Sequence, residues 1–322
     1  MKIAVVGPGA VGSYYGAKLA RAGHELHFLL RSDYEQVRRH GVKVLSPEGD
    51  FNVRPKCAQT PGQIGTCDLV LIAIKTTAND QLRVLLPPLV GSQTAVLTLQ
   101  NGLGNEEALA AIFPIEQILG GLCFVCLNRI SPGVVQHIAH GKIELGEFRR
   151  WPEPRTHDIA SAFRHAGVPC SVRDNLERAH WEKLVWNIPF NGLAVASCAG
   201  LEAVRSGKLA GGVQECLSTD KLLADPGWLE LVRELMHEII ATGNAVTPGI
   251  PRELADEMIA KTRIMGAYQP STLIDFLKGL PIELEALFFE PLRRAHALGI
   301  ATPRLSALSA ILKQLAETNE CP

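Results

Sequence analysis

Lys2-Ile3-Ala4-Val5-Val6-Gly7-Pro8-Gly9-Ala10-Val11-Gly12 opens the chain, and how this stretch is read decides the fold. Lys2 to Val6 is a short, apolar, β-branched run, hence a strand. A G-x-G-x-x-G turn follows at once. Ser13 to Ala22 then has a helical rhythm, with Gly23 as its C-cap. Strand, glycine turn and helix in that order are the context in which this motif binds a dinucleotide. The glycines permit a tight turn, let backbone approach a pyrophosphate, and let helix and strand pack closely. The helix N-terminus adds amide donors and a partial positive charge. Gly7, Gly9, Ala10, Val11 and Gly12 are therefore the cofactor-binding candidates.

Working outward, Glu25 to Leu30 forms the second strand and Arg31 follows it. An NAD enzyme usually places Asp or Glu there for the ribose 2′-hydroxyl, whereas an arginine suits a 2′-phosphate. The cofactor expected is therefore NADP. Ser32 offers a further hydroxyl donor. Asp33 counts the other way and is read as turned outward. Val42 to Leu45 and Phe51 to Val53 are strand pieces around the turn Ser46-Pro47-Glu48-Gly49. Asp68 to Ile74 and Thr94 to Leu99 are continuous apolar strands of the kind buried in a parallel sheet. In open α/β sheets ligands sit at the carboxyl ends of strands, so Lys75 and Asn101, just past two such ends, should face the cofactor crevice. Ile118 to Leu127 is another strand, and Gly133 to His137 with Lys142 to Gly146 looks like a hairpin. A short helix (Ile159 to Ala166) and a last strand (Cys170 to Arg173) complete the pattern.

The alternation stops near Asp174, and the remainder has helical rhythm with Gly and Pro punctuation. The fold class expected is α/β: a Rossmann-type doubly wound sheet over residues 1–173, then an all-helical domain over residues 174–322. The first helix of that second domain carries Trp181-Glu182-Lys183-Leu184-Val185-Trp186-Asn187-Ile188-Pro189-Phe190-Asn191. Lys183, Asn187 and Asn191 are spaced by four. Each step drifts about 40° around a helix, so the three side chains share an arc of roughly 80° over about 12 Å. A lysine on an apolar helix can have its pKa lowered by desolvation towards the range useful for general acid catalysis, and as a cation it polarises a carbonyl. Pro189 lacks an amide donor and should bend this helix. Later, Ser271 follows a proline as a helix N-cap, Asp275 sits one turn in, and Glu283 falls in the first turn of the next helix.

Other classes are disfavoured. The 322 residues carry 32 basic and 33 acidic side chains, a net charge of -1, so nothing suggests a nucleic acid or an anionic membrane as partner. There is no uncharged apolar run of about 18 residues to span a membrane. Met1-Lys2 leads straight into a strand without a signal-peptide pattern, so a cytoplasmic location is expected. The eight cysteines are scattered. Cys123-Phe124-Val125-Cys126 lies in an apolar strand and makes a poor dithiol or metal site. His137-x-x-His140 has no third ligand, so no metal is expected. The apolar helical domain allows either a monomer or a homodimer.

Taken together, the opening Lys-Ile-x-Val-x-Gly-x-Gly-x-x-Gly, Lys75, Gln100-Asn101-Gly102-Leu103-Gly104-Asn105, Lys183-x-x-x-Asn187-x-x-x-Asn191 and Pro270-Ser271-x-x-x-Asp275 with Glu283 resemble the ketopantoate reductase family (2-dehydropantoate 2-reductases), over nearly the whole chain. The resemblance implies NADPH-dependent reduction of a 2-oxo acid to a 2-hydroxy acid in pantothenate biosynthesis. It also implies a helical domain of the 6-phosphogluconate dehydrogenase type. By that resemblance Lys183 is the general acid and Glu283 binds the substrate hydroxyl. Asn101, Asn187, Asn191 and Ser271 line the substrate pocket, and Lys75 stands at the cofactor–substrate boundary. The sequence departs from the family after Glu283, where Ile-Asp and then Asn-Gly are usual; here the run is Leu284-Glu285-Ala286-Leu287-Phe288-Phe289. Gly211 to Leu223 also reads as extra sequence. These departures leave open a same-fold reductase or dehydrogenase for another oxo or hydroxy acid. A non-catalytic NADP-binding sensor is the rival from a different class, but it would have no reason to keep Lys183 with Glu283.

Overall fold

The computed structural model describes residues 1–209, 211–212 and 214–319. The chain divides into two compact units, Met1–Leu176 and a second from Glu177 onward.

In the first unit the strands are β1 (Lys2–Val6), β2 (Glu25–Leu29), β3 (Val42–Leu45), β4 (Phe51–Val53), β5 (Lys56–Ala58), β6 (Leu69–Ile72), β7 (Ala95–Thr98), β8 (Ile118–Ser131), β9 (Val134–Glu147) and β10 (Cys170–Val172). The helices are α1 (Ala10–Arg21), α2 (Tyr34–His40), α3 (Leu82–Leu85), α4 (Asn105–Ala110) and α5 (Pro154–His165). All ten strands join one sheet in the order β4-β3-β9-β8-β7-β6-β1-β2-β5, with β10 beside β9. From β5 through β2, β1, β6 and β7 to β8 every pairing is parallel. Counting those six along the chain gives 3-2-1-4-5-6, the order of a dinucleotide-binding sheet that reverses between β1 and β6.

Side chains alternate along these strands, and the sheet therefore feeds two cores. Ile3, Val5, Leu69, Leu71 and Leu97 point into one core, with Tyr15 and Leu19 of α1 and Phe163 of α5. Ala4, Val6, Val70, Ile72 and Val96 point into the other, with Leu82, Leu86 and Leu109. A strand buried on both faces has no polar side, which is why these runs read as continuous apolar sequence. Each buried Leu, Ile or Val contributes roughly 1.5–3 kcal/mol relative to exposure.

Two local expectations change. The hairpin expected within residues 133–146 is instead one strand, β9, paired antiparallel with β8, with register shifts near Val125 and Leu127. His140 and Gly141 have φ of 65° and 132°, so bulges absorb the interruption without ending the strand. α2 and β5 emerge from a stretch that reads as mixed.

The second unit contains α6 (Leu176–Ala196), α7 (Leu201–Ser206), α8 (Thr219–Ala224), α9 (Pro226–Val246), α10 (Leu254–Arg263), α11 (Ser271–Leu277), α12 (Glu290–Ala297, entered through a π-turn at Glu285–Phe289) and α13 (Pro303–Asn319). α6 is apolar nearly all round and buried from Leu184 to Ala196 except at Trp186, as a central core helix should be. It runs on through Pro189 to Ala196. Asp225 caps α9, accepting the amides of Gly227 (2.8 Å) and Trp228 (3.0 Å), with Pro226 at the first helical position. Among the described residues no helix is long and apolar enough to cross a membrane. Ala210 and Val213, within or beside the extra sequence, and Cys321 lie outside the described residues; the other seven cysteines are free thiols.

Candidate active site

The glycine loop meets the sheet where strand order reverses. Gly7 has φ +83°, and a Cβ there would lie 2.3 Å from Ile74 Cγ2 and 2.5 Å from the Ile74 amide nitrogen. The turns after β1 and β6 thus touch, and no other residue fits. A Cβ on Gly12 would stand 2.7 Å from the Gly7 carbonyl oxygen and 3.1 Å from Ala73 Cβ. Gly16, which the motif does not include, lets α1 lie on Phe28: a Cβ there would stand only 2.6 Å from Phe28 Cε1. Gly9 is different, because nothing stands within 4 Å of its would-be Cβ. It precedes α1, whose first turn has no side-chain cap and no acidic residue. Open space beside uncapped amides at a helix N-terminus fits a pyrophosphate.

Arg31 stands just past β2, exposed, and its side chain makes no hydrogen bond or ion pair with the described residues. Asp33 is not turned outward. It is only 8% exposed, and Arg129 of β8 holds its carboxylate through Nη2 at 2.6 Å from both oxygens and Nε at 3.2 Å. Ser32 donates to the same carboxylate at 3.0 Å.

Lys75 and Asn101 follow β6 and β7 as expected, and a polar network behind them joins the two loops. Gln100 Nε2 donates to the Ile74 carbonyl (3.1 Å) and to Asn79 Oδ1 (2.7 Å). Asn79 Nδ2 donates to Asn105 Oδ1 (3.1 Å), and Asn105 Nδ2 to the Asn101 carbonyl (3.1 Å). Gln100 is oriented in turn by the Thr98 hydroxyl at 3.0 Å. Gln100, Asn79 and Asn105 thus fix the backbone under Lys75 and Asn101. Sequence reasoning misses this role; the only signal was the amide-rich run at the strand end.

In the second unit, Lys183, Asn187 and Asn191 lie on one side of α6. Lys183 is half-buried and the two asparagines buried. Pro189 does not carry Asn191 away from the Ser271 segment: Asn191 Oδ1 accepts the Thr272 amide at 3.1 Å and the Ser271 hydroxyl at 3.5 Å. Ser271 is therefore the first residue of α11, not its cap. Pro270 occupies the cap position without a side-chain acceptor, and Asn191 supplies the acceptor from α6. An aromatic brace supports the same segment: Trp186 packs on Phe190 (5.1 Å between centroids) and on Tyr268 (6.2 Å). Its indole donates to Thr262 at 2.8 Å. Glu283 immediately precedes the helical turn that begins at Leu284 and is 7% exposed. Phe288 is fully buried against α6: a Cβ on Gly192 would lie 2.8 Å from its ring. His137 bonds to Ser46 (2.9 Å) and the His140 carbonyl (2.8 Å).

A glycine loop at the switch point of this sheet, joined to a helical unit with a lysine and two amides on its core helix, marks an oxidoreductase that works with a nicotinamide dinucleotide. The kind follows from comparison with known proteins. Residues 3–150 match the family described as ketopantoate reductase PanE/ApbA, and residues 175–316 match its C-terminal domain; the chain belongs to that family. A 2-dehydropantoate 2-reductase of Nostoc sp. is 39% identical over 98% of this chain and 95% of its own. The crystal structure of 2-dehydropantoate 2-reductase from Geobacter metallireducens is 45% identical, covers 98% of this chain and 99% of that one, and superposes with a TM-score of 0.89. That from Methylococcus capsulatus is 31% identical, covers 100% and 99%, and has a TM-score of 0.87.

Proposed function

We propose that the protein reduces 2-dehydropantoate (ketopantoate) to pantoate, with NADPH as the reductant, as a step in pantothenate biosynthesis. The observation that carries this reading is the family match across both units, from residue 3 to residue 316 with a short gap. NADPH, when bound, would supply the hydride for C2 of the 2-oxo acid. The glycine loop, Gly7 to Gly12 with the Ala10 and Val11 amides, holds its pyrophosphate, and Arg31 holds its 2′-phosphate. The exposed guanidinium, with no protein partner among the described residues, supports that role, since an arginine fork matches phosphate oxygens.

Lys183 polarises the C2 carbonyl as a cation and gives its proton to the oxygen as negative charge develops. Asn101, Asn187, Asn191 and Ser271 orient the carboxylate and carbonyl without competing as acids. The contact between Asn191 and Ser271 supports assigning them to one pocket. Glu283 binds the substrate hydroxyl; a carboxylate this buried stays only where polar partners meet it. Lys75 borders cofactor and substrate.

The test is purified protein with NADPH and a panel of 2-oxo acids. Turnover of ketopantoate well above that of the other acids is expected; good turnover of another acid beside none of ketopantoate would overturn the substrate. Lys183→Ala should lower kcat by about two to three orders of magnitude while NADPH still binds. Near-full activity would exclude Lys183 as the acid. Arg31→Ala should weaken NADPH far more than NADH, and equal loss of both would refute the 2′-phosphate role.

A further inference from the structure

Asp33 poses a problem for a protein that selects a 2′-phosphate. It lies two residues after Arg31, in the loop that follows β2. An acidic side chain in that loop accepts the ribose hydroxyls of NAD and repels the 2′-phosphate of NADP. The structure shows what has happened to this carboxylate. Both of its oxygens are within 2.6 Å of Arg129 Nη2, and the Ser32 hydroxyl adds a third donor. Arg129 comes from 96 residues away in sequence, near the far end of the β8–β9 hairpin. That end is anchored at the far end of α2, the short helix whose N-cap is Asp33. The Lys43 amide donates to the Gly133 carbonyl at 2.8 Å, β3 pairs with β9 at Lys43 and Val134, and Gly133 packs against Gly41 and Val37 at the end of α2. The guanidinium thus comes from a strand held in the sheet, and it meets Asp33 through three hydrogen bonds. It neutralises the charge and occupies the oxygens that ribose hydroxyls would use.

We propose that Arg129 is a specificity-determining residue for the cofactor: by pairing with Asp33 it removes an NADH-selecting carboxylate from beside Arg31. This rests on the NADPH reading given above. Arg129 acts through Asp33, so it is a positioning and charge-compensating residue with no contact to the reacting atoms. Uncovering Asp33 adds one negative charge near a phosphate at the protein surface. At a separation of about 7 Å in a medium intermediate between protein and water this is worth about tenfold in affinity.

The experiment measures dissociation constants of NADPH and NADH for the full-length protein and for Arg129→Ala, Arg129→Gln, Asp33→Asn and the double variant Asp33→Asn/Arg129→Ala. Arg129→Ala should weaken NADPH about tenfold and leave NADH unchanged or tighter. Arg129→Gln, which keeps a hydrogen bond to Asp33 but not the charge, should do the same. The double variant should return NADPH affinity to within about threefold of the parent, because no carboxylate is left to repel it. Equal weakening of both cofactors, or no recovery in the double variant, would reduce Arg129 to a scaffold for the loop and overturn the proposal. The parent protein tests the underlying reading separately. If it binds NADH at least as tightly as NADPH, the NADPH reading fails. If it prefers NADPH and the variants leave that ratio unmoved, the role of Arg129 alone fails.

Discussion

Asn191 Oδ1 accepts the backbone N–H of Thr272 at 3.1 Å, so a side chain of the core helix α6 caps the helix that carries Ser271. Asn191→Ala leaves that amide unpaired in a buried setting, at a cost of about 1–2 kcal/mol, and frees the Ser271 segment. Both urea stability and KM for the 2-oxo acid should worsen. Asn191→Asp keeps an acceptor for Thr272 but adds a negative charge to the side chain proposed above to orient the substrate carboxylate. It should raise KM as much or more while stability stays near that of the parent. A stable Ala variant with unchanged KM would show that neither consequence of the cap is real.

The glycines of the opening turn predict a sharp contrast. Gly7→Ala puts a methyl group onto Ile74 at φ +83° and should destabilise the first unit. The left-handed conformation alone costs about 1–2 kcal/mol, with the steric overlap in addition. Gly9→Ala meets no protein atom. It should melt at the parent temperature, yet lose the stabilisation that saturating dinucleotide gives, about 2.7 kcal/mol at a hundredfold excess over Kd. Thermal melts with and without NADPH separate the two, and an intact NADPH shift in Gly9→Ala would remove the loop from the cofactor site.

Gln100→Leu tests the network beneath Lys75 and Asn101. It strands Asn79 Oδ1 and the Ile74 carbonyl, which both accept from Gln100 Nε2; a fully buried group left unpaired costs roughly 1–3 kcal/mol, and these part-buried ones less. Loosening the two loops should raise KM for cofactor and substrate together, measured by steady-state kinetics. A stability loss without any change in KM would confine Gln100 to a folding role.

What the sequence made legible here is local. Gly7, Gly9 and Gly12 declare themselves because strand, turn and helix are contiguous, and β6 and β7 because burial on both faces leaves no polar side. The misreadings involve distant partners. Asp33 looked like a surface residue because Arg129 is far away in the chain. β5 is three residues long and begins with a lysine, and becomes a strand only through its pairing with β2. β9 looked like two strands because bulges at His140 and Gly141 mimic a turn. The lysine face of α6 was visible from its spacing of four, but Asn191 as a cap was not, since the acceptor and the amide it serves are 81 residues apart.

Acid sensitivity has a traceable contribution from Lys18 of α1 and Glu48 in the β3–β4 turn, which pair at 2.9 Å. The hydrogen bond from Lys18 holds the Glu48 carboxyl below its ordinary range. The folded state therefore binds this proton less readily than the unfolded chain. The pair's stabilisation is present above the ordinary carboxylate range and is lost as pH falls below it. Because Glu48 is largely exposed, the effect should stay under about 1 kcal/mol. Glu48→Gln should lower stability near neutral pH by that amount and flatten the acid limb of a stability–pH curve. An unchanged acid limb would mean that the pair contributes nothing.

Phe288 stands where related enzymes usually carry asparagine, which invites the idea that it reshapes the substrate pocket. Its position argues for a different effect. The ring is fully buried and rests where Gly192 leaves room for it, one residue along α6 from Asn191; Leu308 fills the same space at 2.7 Å from a Cβ on Gly192. Phe288 thus packs the turn that follows Glu283 onto α6, and on the proposed role of Glu283 it would act on the site through that packing. Phe288→Leu removes part of that contact and should cost about 1–3 kcal/mol, below the 3–5 kcal/mol typical of Phe→Ala. It should raise KM for every 2-oxo acid by a similar factor, leaving the order of preference unchanged. Comparing kcat/KM across the acid panel before and after the substitution decides the matter. A reordered panel would mean that the ring reaches the substrate and that the family's usual pocket has been rebuilt here.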